Sequence, residues 1–179
     1  VKVALIRDGA FFTWLEAHAR DLAEFAREPM REMIRRSAEL HLNHIAGGGD
    51  PFEFGTSRPL DFGHWAAHRL ETLTANELRH GEAVAIGMAL DTRYSVEIGL
   101  LGEGALGRIC ALLEALGLRL WDPAMNHRDA SGARKIHRGL VEFREHLGGE
   151  LAVTLLEGIG RGLEVHEIDD AAMERAILG

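Results

Sequence analysis

One cysteine, one tyrosine and four prolines stand among 179 residues, and cations are fewer than anions. With Cys110 alone, no disulfide can close within the chain, and a reducing compartment is the expected setting. Its position in an apolar helical pattern reads as a small buried core residue. Twenty Lys and Arg against 28 Asp and Glu leave a net charge of -8, which argues against a nucleic-acid surface, because phosphate backbones demand a concentrated basic face. No apolar run approaches a membrane span, so the expectation is a cytoplasmic protein with neither membrane nor nucleic-acid partners. No G-x-G-x-x-G opens a strand-turn-helix unit, which removes the usual cradle for a dinucleotide.

What is present is an ordinary globular balance, 46% hydrophobic and 27% charged, with the length of a single domain. Ten histidines exceed the usual share. Three of them fall in Arg58–Met88, RPLDFGHWAAHRLETLTANELRHGEAVAIGM. His64, His68 and Glu71 are spaced four and three apart, so a helix projects all three from one face. His80 opens a second helical run after a break at Asn76. Imidazoles in this pattern suit zinc, and His68 beside a metal could move protons near neutral pH. Glu82 reads either as a partner orienting a metal-bound histidine or as an acid at a helix N-terminus.

The rest of the chain predicts a mainly α fold of many helices with one small β-hairpin near the C-terminus. Asp8 caps a helix carrying Phe11, Phe12 and Leu15, and Leu22, Phe25 and Ala26 continue the core after a bend. Pro29 opens a helix whose stripe Met30, Ile34, Ser37, His41 and His44 faces the core. Residues 46–59 form a glycine-rich loop suited to covering a pocket. Asp61 caps the helix of His64. The alternation of small residues from Gly81 to Ala89 marks a central helix. Leu106, Ile109, Cys110, Leu113 and Leu116 form another stripe closed by Gly117, and Ala133–Leu147 is helical with a basic turn able to attract phosphate. Residues 150–156 and 163–168 pair as a hairpin, and Asp169 or Asp170 caps a last helix through Ile177.

LDFGH, then His68, then HGEAVAIGM resembles the metal-binding core of the 3-dehydroquinate synthase family of NAD-dependent sugar phosphate cyclases, usually worded LNFGHTxGHAxE and HGExVxxGM. The resemblance implies a zinc or cobalt ion held by His64, His80 and a glutamate upstream of Val1. It implies that residues 1–179 are one helical metal-binding domain, a fragment lacking its N-terminal NAD-binding domain, in a protein that forms homodimers. It further implies His68 and Lys2 in catalysis and Arg58, Asp61 and His41 against a sugar phosphate; no residue here is assigned to NAD. In the family, NAD transiently oxidises a ring hydroxyl, phosphate leaves, and an aldol step closes a carbocycle. Asp61 stands where the family has asparagine, Trp65 replaces a threonine, Ala67 a glycine, and His41 falls at a usual lysine. Asp61 and His41 suit a less acidic sugar, such as a heptulose phosphate lacking the carboxylate, while Trp65 and Ala67 alter the wall of the site. A polyol dehydrogenase of the same two-domain plan and a non-catalytic helical homologue are the competing readings.

Overall fold

The computed structural model describes residues 1–47 and 59–178. Four helices come first, α1 (Lys2–Arg7), α2 (Gly9–Ala17), α3 (Ala19–Ala23) and α4 (Arg27–Gly47). A 3-10 turn, Pro59–Asp61, leads into α5 (His64–Leu73), α6 (His80–Glu97) and α7 (Glu103–Ala115). Short 3-10 turns at Pro123–Asn126 and Lys135–His137 precede α8 (Arg138–His146), a hairpin of β1 (Val153–Gly158) and β2 (Arg161–Val165), and α9 (Asp170–Leu178). The expectation of a mainly helical fold with one small hairpin near the C-terminus is borne out.

Helix α6 is the axis of the core, as its small residues predict. Every residue from Ala83 to Thr92 is buried, with α5, α7, α9 and β1 packed around it. Its closest crossing is with the start of α5. A Cβ placed on Gly87 would stand 2.0 Å from the Gly63 carbonyl oxygen, and one on Gly63 would stand 2.6 Å from the Met88 nitrogen. Gly63 also adopts a left-handed φ of 80°, open to glycine and costly for other residues. The glycines of FGH and IGM are therefore the two halves of one backbone contact.

Beside that contact lies a buried acid. Asp91, fully buried on α6, accepts from the Gly63 N–H at 2.9 Å and the Trp65 indole N–H at 2.8 Å. Burial pushes its carboxyl up to about 7 against these two donors. It pegs the entry to α5 onto the core.

The hairpin is antiparallel, with Val153 opposite Val165 and Leu155 opposite Leu163. Its turn reaches the first helix, where the Gly160 N–H donates to the Leu5 carbonyl at 2.7 Å. Helix α1, which carries Lys2, is thereby fixed by the last third of the chain. Asp8 caps α2 through the Phe11 N–H at 2.8 Å, and Asp169 caps α9 through the Ala172 N–H at 2.6 Å, as the sequence predicts.

Several local expectations are corrected. Asp61 does not cap α5: the cap position is Gly63, and no side chain bonds there. Phe25 is no core residue, being 77% exposed at a φ of 57° where the chain turns between α3 and α4. Pro29 is the third residue of α4, and Ile34, expected inside, is 58% exposed. Three ion pairs, Arg35 with Glu32 and Glu39 and Arg36 with Glu32, hold that helix from outside instead. Cys110 is half-buried, and burial raises its thiol pKa. The helix expected over 133–147 begins as a 3-10 turn because buried Arg134 donates to the Met125 carbonyl and to Glu174, holding that stretch against α9. The loop expected over 46–59 lies almost entirely outside the described residues.

Candidate functional site

Two helices begin at the same place. His64 is the first residue of α5 and His80 the first of α6, the chain reversing between them through Ala75 and Asn76 in left-handed conformations. His68 stands one turn along α5. The three imidazoles form a triangle with ring centroids 5.8 Å (His64–His68), 5.4 Å (His64–His80) and 5.7 Å (His68–His80) apart.

Each ring has a partner at Nδ1. The His64 Nδ1 lies 3.2 Å from the Phe62 carbonyl, which makes it the donor and leaves Nε2 with a lone pair. Glu71 takes the other two, with one oxygen 3.1 Å from His80 Nδ1 and the other 3.2 Å from His68 Nδ1. His64 is partly buried, while the side chains of His68 and His80 are 61% and 55% exposed. Burial, with the Lys2 ammonium adding to it, pushes the His64 imidazole down to about 4. It is neutral at physiological pH, the form a metal ligand requires.

Taken pairwise, the rings stand near the separation of imidazoles that share an ion, although among the described residues His64 joins no three-residue set whose ligand atoms all lie within 4.8 Å of one another. With Zn–N near 2.1 Å, a ring centroid lies about 3.2 Å from the metal, and two such rings at a tetrahedral angle stand about 5.2 Å apart. The observed separations are a few tenths of an ångström larger. The convergent donor set among the described residues is His68, Glu71 and His80, whose ligand atoms all lie within 4.8 Å of one another.

The remaining sequence candidates are spread around this centre. Lys2, on α1, is close enough for its charge to bear on His64. Asp61 and His68 line a cavity of about 440 Å³ with Trp65, Glu142, Phe143 and His146, between α5 and α8. His41 is exposed on α4, and no hydrogen bond or ring contact ties it to the triangle among the described residues. Arg58 lies outside the described residues. Glu82 accepts from the Arg79 N–H at 3.0 Å, closing the start of α6, and so resolves to the helix-terminus role.

One residue and one contact escaped the sequence reading. Asp91 sits in a run of small apolar residues, and a lone acid there is the signal that could have found it. Glu71 was placed on the histidine face, but its bond to His80 spans a chain reversal that spacing does not reveal.

Fold and site together define a mainly helical protein that gathers imidazoles where two crossing helices begin. The description "3-dehydroquinate synthase C-terminal" matches residues 1–135, and the chain belongs to that family. The 3-dehydroquinate synthase of Acidithiobacillus ferrooxidans is 34% identical over 180 residues, covering 99% of this chain and 47% of its own. That of Halorhodospira halophila is 36% identical over 174 residues, covering 97% and 47%. Among solved structures, 2-epi-5-epi-valiolone synthase from Streptomyces hygroscopicus subsp. jinggangensis, with NAD+ and Zn2+ bound, matches at a TM-score of 0.85 and 29% identity over 99% of this chain and 48% of its own. A 2-deoxy-scyllo-inosose synthase shares the fold at a TM-score of 0.51 and 20% identity over 66% of this chain and 34% of its own. The chain spans about half the length of the curated relatives it matches. No helix among the described residues is long and apolar enough to cross a membrane.

Proposed function

We propose that these residues are the metal-binding half of an NAD- and metal-dependent sugar phosphate cyclase of the 3-dehydroquinate synthase type. Such an enzyme is a carbon–oxygen lyase, eliminating phosphate from a heptulosonate or heptulose phosphate and closing a carbocycle. The carrying observation is the histidine triangle, with its Nδ1 atoms engaged on the protein side. His64 and His80 hold zinc or cobalt through Nε2, and a glutamate preceding these residues completes the set. The metal supplies Lewis acidity toward a substrate oxygen, and NAD, bound mainly by an N-terminal domain, supplies hydride transfer.

This chain's own side chains then divide the remaining work. His68, exposed above the cavity, accepts or returns a proton at Nε2. Lys2 places a cation beside His64, which adds to burial in keeping that ring neutral and draws an anionic substrate group toward it. Trp65 and Phe143 give the cavity its apolar wall, and Asp61 sits at its edge with His68. Arg58 and His41 complete the substrate contacts. Asp61 in place of the family's asparagine, with His41 in place of its lysine, supports a heptulose phosphate over a heptulosonate; Glu142 on the same cavity is already paired with Arg69 at 3.3 Å and Arg138 at 3.1 Å. The working protein is a cytoplasmic homodimer, residues 1–179 form a single domain of it, and these residues alone are inactive.

The test is metal content of the full-length protein by elemental analysis, beside a His64→Ala variant, followed by turnover of sugar phosphates with NAD. About one zinc or cobalt per chain, lost in the variant, and phosphate release without net NADH are the expected results. Net NADH would instead make it a polyol dehydrogenase. Absence of metal from the wild type would leave a non-catalytic helical homologue.

A further inference from the structure

We infer that Glu71 is a positioning residue that sets the tautomers of His80 and His68 together, an inference resting on the reading of His64 and His80 as metal ligands. Its carboxylate is divided between two rings, one oxygen 3.1 Å from His80 Nδ1 and the other 3.2 Å from His68 Nδ1. The Glu71 side chain is 19% exposed, whereas the rings are 55% and 61% exposed, so the carboxylate lies on the protein side. A neutral imidazole donating from Nδ1 carries its lone pair on Nε2. Glu71 thus presents Nε2 of His80 as a ligand atom and Nε2 of His68 as a proton acceptor with one group. The Phe62 carbonyl does the same for His64.

Geometry removes one rival reading and weighs against another. Glu82, the acid nearest His80 in sequence, is engaged by the Arg79 N–H at the start of α6. Glu71 could itself be a ligand in the set with His68 and His80. Both its oxygens, however, face Nδ1 atoms, so recruiting it would release both rings from their partner. The pairing ties the sites functionally: a ligand on α6 and a proton carrier on α5 share one anchor, and neither ring can turn without affecting the other.

The test uses the full-length protein, Zn2+ as probe, and Glu71→Gln, Glu82→Gln and His64→Ala. An amide offers one acceptor oxygen where a carboxylate offers two, so Glu71→Gln cannot keep both Nδ1–H donors. Histidine 15N spectra of the metal-free protein should show at least one of His68 and His80 leaving the Nδ1–H tautomer. Chelator competition should show zinc held about 10- to 100-fold more weakly in Glu71→Gln. Glu82→Gln should leave tautomers and affinity as they are. Unchanged tautomers in Glu71→Gln, affinity within about twofold of wild type, or equal weakening by Glu82→Gln would each overturn the inference. Zinc loss in Glu71→Gln as complete as in His64→Ala would overturn it too, making Glu71 a ligand. A wild type that takes up no zinc sinks the proposed function, while the metal-free spectra still decide the role of Glu71.

Discussion

Replacing Gly87 by alanine tests the α5–α6 crossing directly. In a free helix the change would favour folding by about 0.5–1 kcal/mol, since glycine is the poorer helix former. Here the new Cβ would stand 2.0 Å from the Gly63 carbonyl oxygen, and backbone must retreat by about 1 Å to reach even the 3.0 Å floor of real Cβ contacts. That carbonyl accepts the first bond of α5, from the Ala67 N–H at 3.2 Å, and the same residue donates to Asp91 at 2.9 Å. Overpacking costs about 1–3 kcal/mol and a weakened buried hydrogen bond about 1–3 more, so the net loss should be about 2–4 kcal/mol. Because His64 follows Gly63 immediately, zinc content should fall as well. Gly107→Ala, in α7 with nothing within 4 Å of its Cβ, is the matched control and should gain about 0.5–1 kcal/mol. Urea denaturation of both variants reads the two signs. A Gly87→Ala protein as stable as Gly107→Ala, with wild-type zinc, would refute the argument that backbone contact sets this crossing.

Other perturbations isolate single features. Asp91, raised to about 7 by burial, binds its proton more tightly when folded, so its contribution to stability is greatest below about pH 4 and declines as pH rises toward 7. The stability of wild type relative to Asp91→Asn should therefore fall across that window, by about 1.4 kcal/mol for each pH unit crossed; chemical denaturation giving a constant difference would contradict a buried acid. Asp169→Ala removes the bond to the Ala172 N–H and should cost about 1 kcal/mol with α9 fraying first, read by amide exchange, while zinc binding stays intact. Trp65→Phe keeps the apolar wall but leaves Asp91 without its indole donor, and should destabilise by about 1–3 kcal/mol in thermal melts.

The elements with strong local signals were legible in the sequence. Asp8 and Asp169 cap the helices they precede, the hairpin forms around its glycine turn, and the small-residue run becomes the buried helix α6. The motif glycines were visible, but their mutual contact was not, because residues 63 and 87 meet only through the crossing of two helices. The stripe on α4 misled because its period is helical while Ile34 is left 58% exposed; periodicity reports a face, not what covers it. The four-three spacing of His64, His68 and Glu71 foretold one face of α5. It could not foretell that Glu71 would reach His80, since that distance depends on the left-handed reversal at Ala75 and Asn76.

The hydrogen bond from Gly160 to Leu5 has a kinetic consequence. Helix α1 is short, and six residues do not hold a helix in water without tertiary support. Its clamp comes from a hairpin made near the other end of the chain, the kind of distant pairing that forms late. During synthesis the three histidines leave the ribosome on α5 and α6 well before that clamp exists. Lys2 is thus seated beside His64 only once the hairpin has formed, so the charge that bears on that ring arrives with the last third of the chain.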